Sequence, residues 1–184
     1  MSVPYLLASL PHLLFDAPAP ITAEAFAEAC RGQLSENDAA TAEALLQTAC
    51  SSVVPLSRQT PFLAAWFEKE TLIRNAVARC RNTRRGRDPE LATRFASTAD
   101  VRVTHAVEAA FQLGDPEARD TALERLRWSV AEELQGTDPM ALGAVFGYAA
   151  KLRVSLRRAA MTQEAGGAVA EQLFNAPLPG VEDE

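Results

Sequence analysis

Lysine, histidine and cysteine are scarce in this chain of 184 residues, and each scarcity closes off a kind of chemistry. Lys69 and Lys151 are the only lysines, so arginine supplies nearly all the positive charge. The net charge is −6, which argues against a general nucleic-acid binder, because neutralising phosphates needs a basic surface. The three cysteines, Cys30, Cys50 and Cys80, lie far apart and include no Cys-x-x-Cys pair. With only His12 and His105 to add, the spacing of a zinc site is missing, and no metal or cofactor is expected. Reduced cysteines on semi-buried helix faces of a cytoplasmic protein are the reading that fits.

Long hydrophobic runs are missing too. The most apolar stretch, "PYLLASLPHLLFDAPAP" at residues 4–20, has no Lys or Arg before it, is interrupted by Pro11 and His12, and is closed by Asp16. It lacks the pattern of a signal peptide and falls short of the roughly 20 apolar residues that span a bilayer. It is expected to be a buried part of a cytoplasmic fold. Strand signals are nearly absent, with no sustained alternation and no Asn-Gly hairpin.

What the sequence does have is helix punctuation. Gly86-Arg87-Asp88-Pro89, Gly114-Asp115-Pro116 and Gly136-Thr137-Asp138-Pro139 share one grammar. A glycine ends one helix in the left-handed conformation, Asp caps the free N–H groups of the next, and Pro fits its first turn. Three such junctions predict antiparallel helices joined by very short turns. Thr22 with Glu24, and Ile21 against Phe26, predict another helix start, with Gly32 as its stop. Ser35 with Asp38 opens a helix through about Cys50, and Thr60-Pro61 opens a long one with Phe62, Trp66, Ile73, Val77 and Cys80 as its stripe. Leu123, Leu126, Val130 and Leu134 mark the next stripe. Leu142, Val145, Phe146, Ala149, Leu152 and Leu156 mark the last.

The class is therefore all-α, an antiparallel multi-helix bundle with short Gly-Asp-Pro turns. Residues 1–176 are expected to form one helical domain, with two packed sub-bundles divided near 86–100 as a variant of it. Residues 51–59 read as a loop and 177–184 as a flexible acidic tail.

No catalytic constellation is present in this pattern. His12 and His105 have no partner in the sequence, the carboxylates are spread as caps and surface charges without Glu-x-x-His pairing, and Gly166-Gly167 precedes no phosphate-binding pattern. One charge feature stands out: "RNAVARCRNTRRGR", from Arg74 to Arg87, holds six arginines and no acid. Cations at a helix C-terminus are ordinarily favoured by the helix dipole, by roughly 0.3–1 kcal/mol each. The functional alternative is a docking patch for an acidic partner, in which Arg74, Arg81, Arg84 and Arg85 are the candidate residues. Lys151, Arg153, Arg157 and Arg158 form a second late-helix cluster and read the same way.

"YLLASLPHLLFDAPAPITAEAFAEAC" resembles the opening of a family of small bacterial proteins encoded alongside the components of V-type (A-type-like) rotary ATPases. Tyr5, Ala8, Ser9, Leu10, Pro11, Leu13, Phe15, Pro20, Ile21 and Phe26 carry the likeness. "WFEKETLIRNAVARCRNTRRGRDP" is similar to that family's aromatic-acidic helix, and "FGYAAKLRVSLRR" looks like its late helix through Tyr148, Ala149, Lys151 and Leu152. The likeness spans residues 4–174, with departures at Gly147, Ala150 and Arg153. The family in turn resembles a shortened form of the all-helical ATPase component that seats the central stalk on the membrane rotor. The resemblance implies a non-catalytic coupling component, cytoplasmic and peripheral to the inner membrane through central-stalk and membrane-rotor subunits. A helical assembly chaperone or regulator of the same complex, or an unrelated interaction module, is the alternative.

Overall fold

A computed structural model describes residues 2–47 and 60–161, and among these it has seven α-helices and no strand. The helices are α1 (Val3–Ser9), α2 (Ala23–Gln33), α3 (Glu36–Leu46), α4 (Pro61–Arg84), α5 (Val101–Gln112), α6 (Pro116–Gln135) and α7 (Leu142–Ala160). The all-α reading holds. The expected loop at 51–59, Cys50, Gly166-Gly167 and the acidic tail at 177–184 lie outside the described residues.

Side-chain caps set most of the helix starts. Thr22 Oγ1 accepts the Ala25 N–H at 3.2 Å, Ser35 Oγ accepts that of Asp38 at 3.2 Å, and Thr60 Oγ1 accepts that of Leu63 at 3.3 Å. Asp115 does the same for Ala118 at 2.8 Å, with Pro116 in the first turn of α6. Each such cap contributes about 1 kcal/mol. Gly32 does not stop α2, which runs one residue further and turns out through Leu34; a single glycine is only a weak breaker when the flanking turns are buried.

The three Gly-Asp-Pro junctions are not alike. Only Gly114-Asp115-Pro116 is the expected tight turn, and there the glycine is not left-handed. Gly136 does end α6 at φ 79°, but Asp138-Pro139 forms a turn of its own, and α7 starts at Leu142. Gly86 (φ 63°) ends α4, yet the next helix begins only at Val101, capped by Asp100.

The expectation of a very short turn after Gly86 is thus corrected: residues 85–100 run back along α4, tied to one helix by polar side chains. Asn75 brackets Arg94, donating to its carbonyl at 2.8 Å and accepting its N–H at 2.9 Å. Asn82 donates to the Leu91 carbonyl at 2.6 Å, and Arg79 clamps Glu90 through two bonds of 2.7 and 3.0 Å. Glu68 accepts from Ser97 and from both the N–H and the hydroxyl of Thr98. Burial pushes the Glu68 carboxyl up, but those donors outweigh it and hold it below its ordinary range. So many ties keep Ala92 in the left-handed region at φ 67°, a conformation that side chains other than glycine disfavour.

Two hydrophobic clusters form the interior. The larger joins Leu6, Phe26, Leu45, Trp66, Phe146 and Leu152, while the smaller joins Ile73, Val103, Val107, Phe111 and Leu123. Helices α4 and α6 feed both clusters, and Leu126 packs on each. The residues of the predicted apolar stripes all lie buried or half-buried.

The N-terminal stretch is fixed to the late helices. Leu6, Leu13 and Phe15 are buried, whereas Tyr5 and Leu14 face outward. Tyr148 Oη donates to the Pro11 carbonyl at 2.9 Å, and Arg158 donates to the Phe15 carbonyl. The Arg125 and Arg158 guanidiniums both lie 4.1 Å from the centre of the Phe15 ring, and Arg125 also pairs with Asp16.

Helices α6 and α7 approach closely at two glycines. A Cβ on Gly143 would fall 2.7 Å from the Gln135 carbonyl oxygen, and one on Gly147 would fall 2.6 Å from Gln135 Cβ. The small residue at 147 is required by this packing.

Candidate docking site

The second arginine cluster is the first to be corrected. Lys151, Arg153 and Arg158 are not part of a solvated helix end, because α7 is flanked by α6, α3, α2 and α1 and most of its sides are covered; of the four only Arg157 is exposed. Arg153 is buried, Arg158 closes on Phe15, and Lys151 donates to Gln135 Oε1 at 3.2 Å beside the Trp128 ring. Arg157 reaches Glu124 at 3.3 Å.

Glu124 belongs to a buried ionic chain that the sequence did not announce. Glu70 of α4 and Glu124 of α6 are each 1 % exposed. Arg127 lies between them, bonded from Nε to Glu70 at 2.8 Å and from Nη1 to Glu124 at 3.1 Å. Arg74 stands 3.6 Å from the other Glu70 oxygen. Burial raises the Glu124 carboxyl above its ordinary value, despite the pull of Arg127 and Arg157. Burial pushes the Arg127 guanidinium down, but Glu70 and Glu124 outweigh it and raise it. This chain ties α4, α6 and α7 together, while Glu70 Oε2 and Glu124 Oε2 stay buried without a hydrogen-bond partner.

Arg74 is therefore drawn into an ionic contact with the interior, two turns before the other candidates. The structure brings Arg81, Arg84 and Arg85 together instead, at the end of the bundle where α4 and α5 finish and α6 begins. They line a cavity of about 160 Å³ with Phe111 and Arg119. Arg84 donates to the Phe111 carbonyl in the last turn of α5, where backbone acceptors have no helical partner. Its guanidinium carbon is 5.0 Å from the Phe111 ring centre, and that of Arg119 is 5.3 Å away. The helix-dipole reading is thus partly right, but Arg84 serves the end of a neighbouring helix as well as its own.

Among the described residues no carboxylate forms an ion pair with Arg81, Arg84, Arg85 or Arg119. Arg31, Arg79, Arg102 and Arg125 are by contrast paired on the surface. Four guanidiniums in a concave site with no ion-paired carboxylate make a local field that favours anions.

Phe111 and Arg119 were missed in the sequence. Their signal was present: they flank the Gly114-Asp115-Pro116 turn on either side, and an antiparallel bundle puts that turn at the end where α4 stops.

Other groups offer less. His12 and His105 are exposed, and no cluster of three or more His, Cys, Asp or Glu side chains suited to a metal occurs among the described residues. Cys30 is buried, and burial raises its thiol to about 12. Phe95, on the strapped 85–100 segment, is 91 % exposed. No described helix is long and apolar enough to cross a membrane. Comparison of the chain with protein-family models, curated proteins and solved structures finds no match, so the reading of the site rests on its own geometry.

Proposed function

We propose that this chain is a non-catalytic docking component of a bacterial V-type rotary ATPase, acting where the central stalk meets the membrane rotor. The single observation that carries the docking part is the arginine cradle of Arg81, Arg84, Arg85 and Arg119, with which no described carboxylate forms an ion pair. The choice of complex follows the sequence resemblance. In this reading the protein is cytoplasmic and meets the membrane through its protein partners only. The rigid body behind the cradle, held by two apolar clusters and a buried ionic chain, suits a part that transmits force.

Affinity purification of the tagged protein from gently solubilised cells, with co-purifying subunits quantified by mass spectrometry, tests this. Stoichiometric stalk and rotor subunits are expected, with a clear loss on R81E/R85E, two exposed positions whose reversal leaves the fold intact. Substoichiometric recovery would favour the assembly-factor alternative. Recovery of the protein alone would refute the reading as a permanent component.

A further inference from the structure

The cradle's shape says more about its partner than its charge does. Resting on the docking reading above, we propose that the cradle takes consecutive carboxylates of one short, extended acidic segment of a partner protein, inserted into the cavity, rather than charges spaced along a partner surface.

Three observations carry this. First, the site is a small concave hollow of about 160 Å³, and an extended segment can lower adjacent carboxylates into such a hollow while a helix about 10 Å across presents them from one face only. A narrow segment enters; a helix face only lies across the mouth. Second, two of the four cations are already positioned. Arg84 and Arg119 both sit on the Phe111 ring, and Arg84 is further held by the Phe111 carbonyl, so little side-chain freedom remains to be lost on binding. Third, the charge is concentrated. Arg81 and Arg85 stand one helical turn apart on α4, on neighbouring sites of one face, and flank the fixed pair. One carboxylate would leave most of that charge unmatched. Two or three consecutive ones match it within the cavity, and planar guanidiniums bind carboxylates through paired N–H donors.

The test is a fluorescence-anisotropy titration of the full chain with two labelled peptides of equal length, net charge and composition. One carries three consecutive acidic residues between Gly/Ser flanks. The other carries the same three acids at every fourth position, about 13 Å apart when extended, so that the cavity accepts one at a time. The consecutive peptide is expected to bind at least about tenfold more tightly at physiological salt. Arg84→Lys keeps the charge but cannot span ring, carbonyl and ligand together, so it should bring the two peptides within about threefold of each other. Arg85→Gln, which alters no internal contact, should weaken the consecutive peptide more than the spaced one.

Equal binding of both peptides to the native chain would overturn the inference and leave the docking reading standing, as general electrostatic attraction. Binding of neither peptide, even at low salt, would overturn both. An unchanged preference in Arg84→Lys and in Arg85→Gln would also overturn the inference, because the selectivity would then arise elsewhere on the surface.

Discussion

Replacing Arg127 with methionine isolates what the buried ionic chain contributes. Arg127 is hydrogen-bonded to both buried carboxylates, so the change removes the 2.8 Å bond to Glu70 and the 3.1 Å bond to Glu124 together. Glu70 keeps only Arg74, at 3.6 Å and outside hydrogen-bond range, and Glu124 keeps Arg157 at 3.3 Å. Breaking a buried pair from one side costs about 3–5 kcal/mol, because an uncompensated charge stays behind. Whole domains are stable by about 5–15 kcal/mol, so the loss is a large share of the total. At about 2–4 °C per kcal/mol for a chain of this size, the melting temperature should fall by about 6–20 °C.

The pH dependence supplies an internal check. Glu124 already titrates above its ordinary value because of burial, and losing Arg127 raises it further. Between its unfolded and folded values the native state then binds more protons than the unfolded state, so stability falls as pH rises through that window. The deficit of R127M relative to the native chain should therefore be larger near about pH 8 than near about pH 5. Urea denaturation followed by circular dichroism at both pH values measures it. Replacing Glu70, Glu124 and Arg127 together with Leu, Leu and Met should restore most of the stability, since the ions that lose their partners, Arg74 and Arg157, both reach solvent. A deficit under about 1 kcal/mol at the higher pH, or one that grows on acidification, would refute the argument.

The same denaturation assay tests three smaller claims. Gly143→Ala and Gly147→Ala should each cost about 1–3 kcal/mol, because the added Cβ meets the Gln135 backbone oxygen at 2.7 Å in the first and Gln135 Cβ, which cannot swing away, at 2.6 Å in the second. Asn75→Leu strands the Arg94 N–H and carbonyl, and should cost about 1–3 kcal/mol while speeding hydrogen exchange at the Arg94 amide. Ala92→Gly relieves the left-handed strain at φ 67° and should raise stability by about 0.5 kcal/mol.

Local signals were the most legible part of this sequence. Caps at Thr22, Ser35, Thr60 and Asp115 act over three residues, so identity and spacing were enough to place them. Apolar stripes on α4, α6 and α7 follow from helical periodicity alone. The Gly-Asp-Pro junctions misled because Asp-Pro is equally at home in a free turn. After Gly86 the chain had a better option than starting a new helix: Glu68, Asn75, Arg79 and Asn82 already presented hydrogen-bonding groups along one side of α4. Those four residues look like ordinary surface polarity until a segment 9 to 30 residues away is known to run beside them.

The same locality explains how the charges were read. Charges on one helix are counted easily in sequence, but whether each is solvated depends on which helix faces it. Arg157 and Arg158 looked like the end of an exposed helix; Arg158 packs on Phe15, more than one hundred residues away, and Arg157, though exposed, reaches Glu124, more than thirty away. Arg74, Arg81, Arg84 and Arg85 looked like one patch, yet α6 divided them by bringing Arg127 beside Glu70 and Arg119 beside Phe111. One helix thus made a closed ionic chain at its middle and an open cradle at its start. The difference lies in the carboxylates: Glu70 and Glu124 pair with the arginines near them, while no described carboxylate forms an ion pair with the cradle's four. In a chain whose net charge is −6, a site left positive by the fold itself favours anions, and it is there that we propose an acid from outside docks.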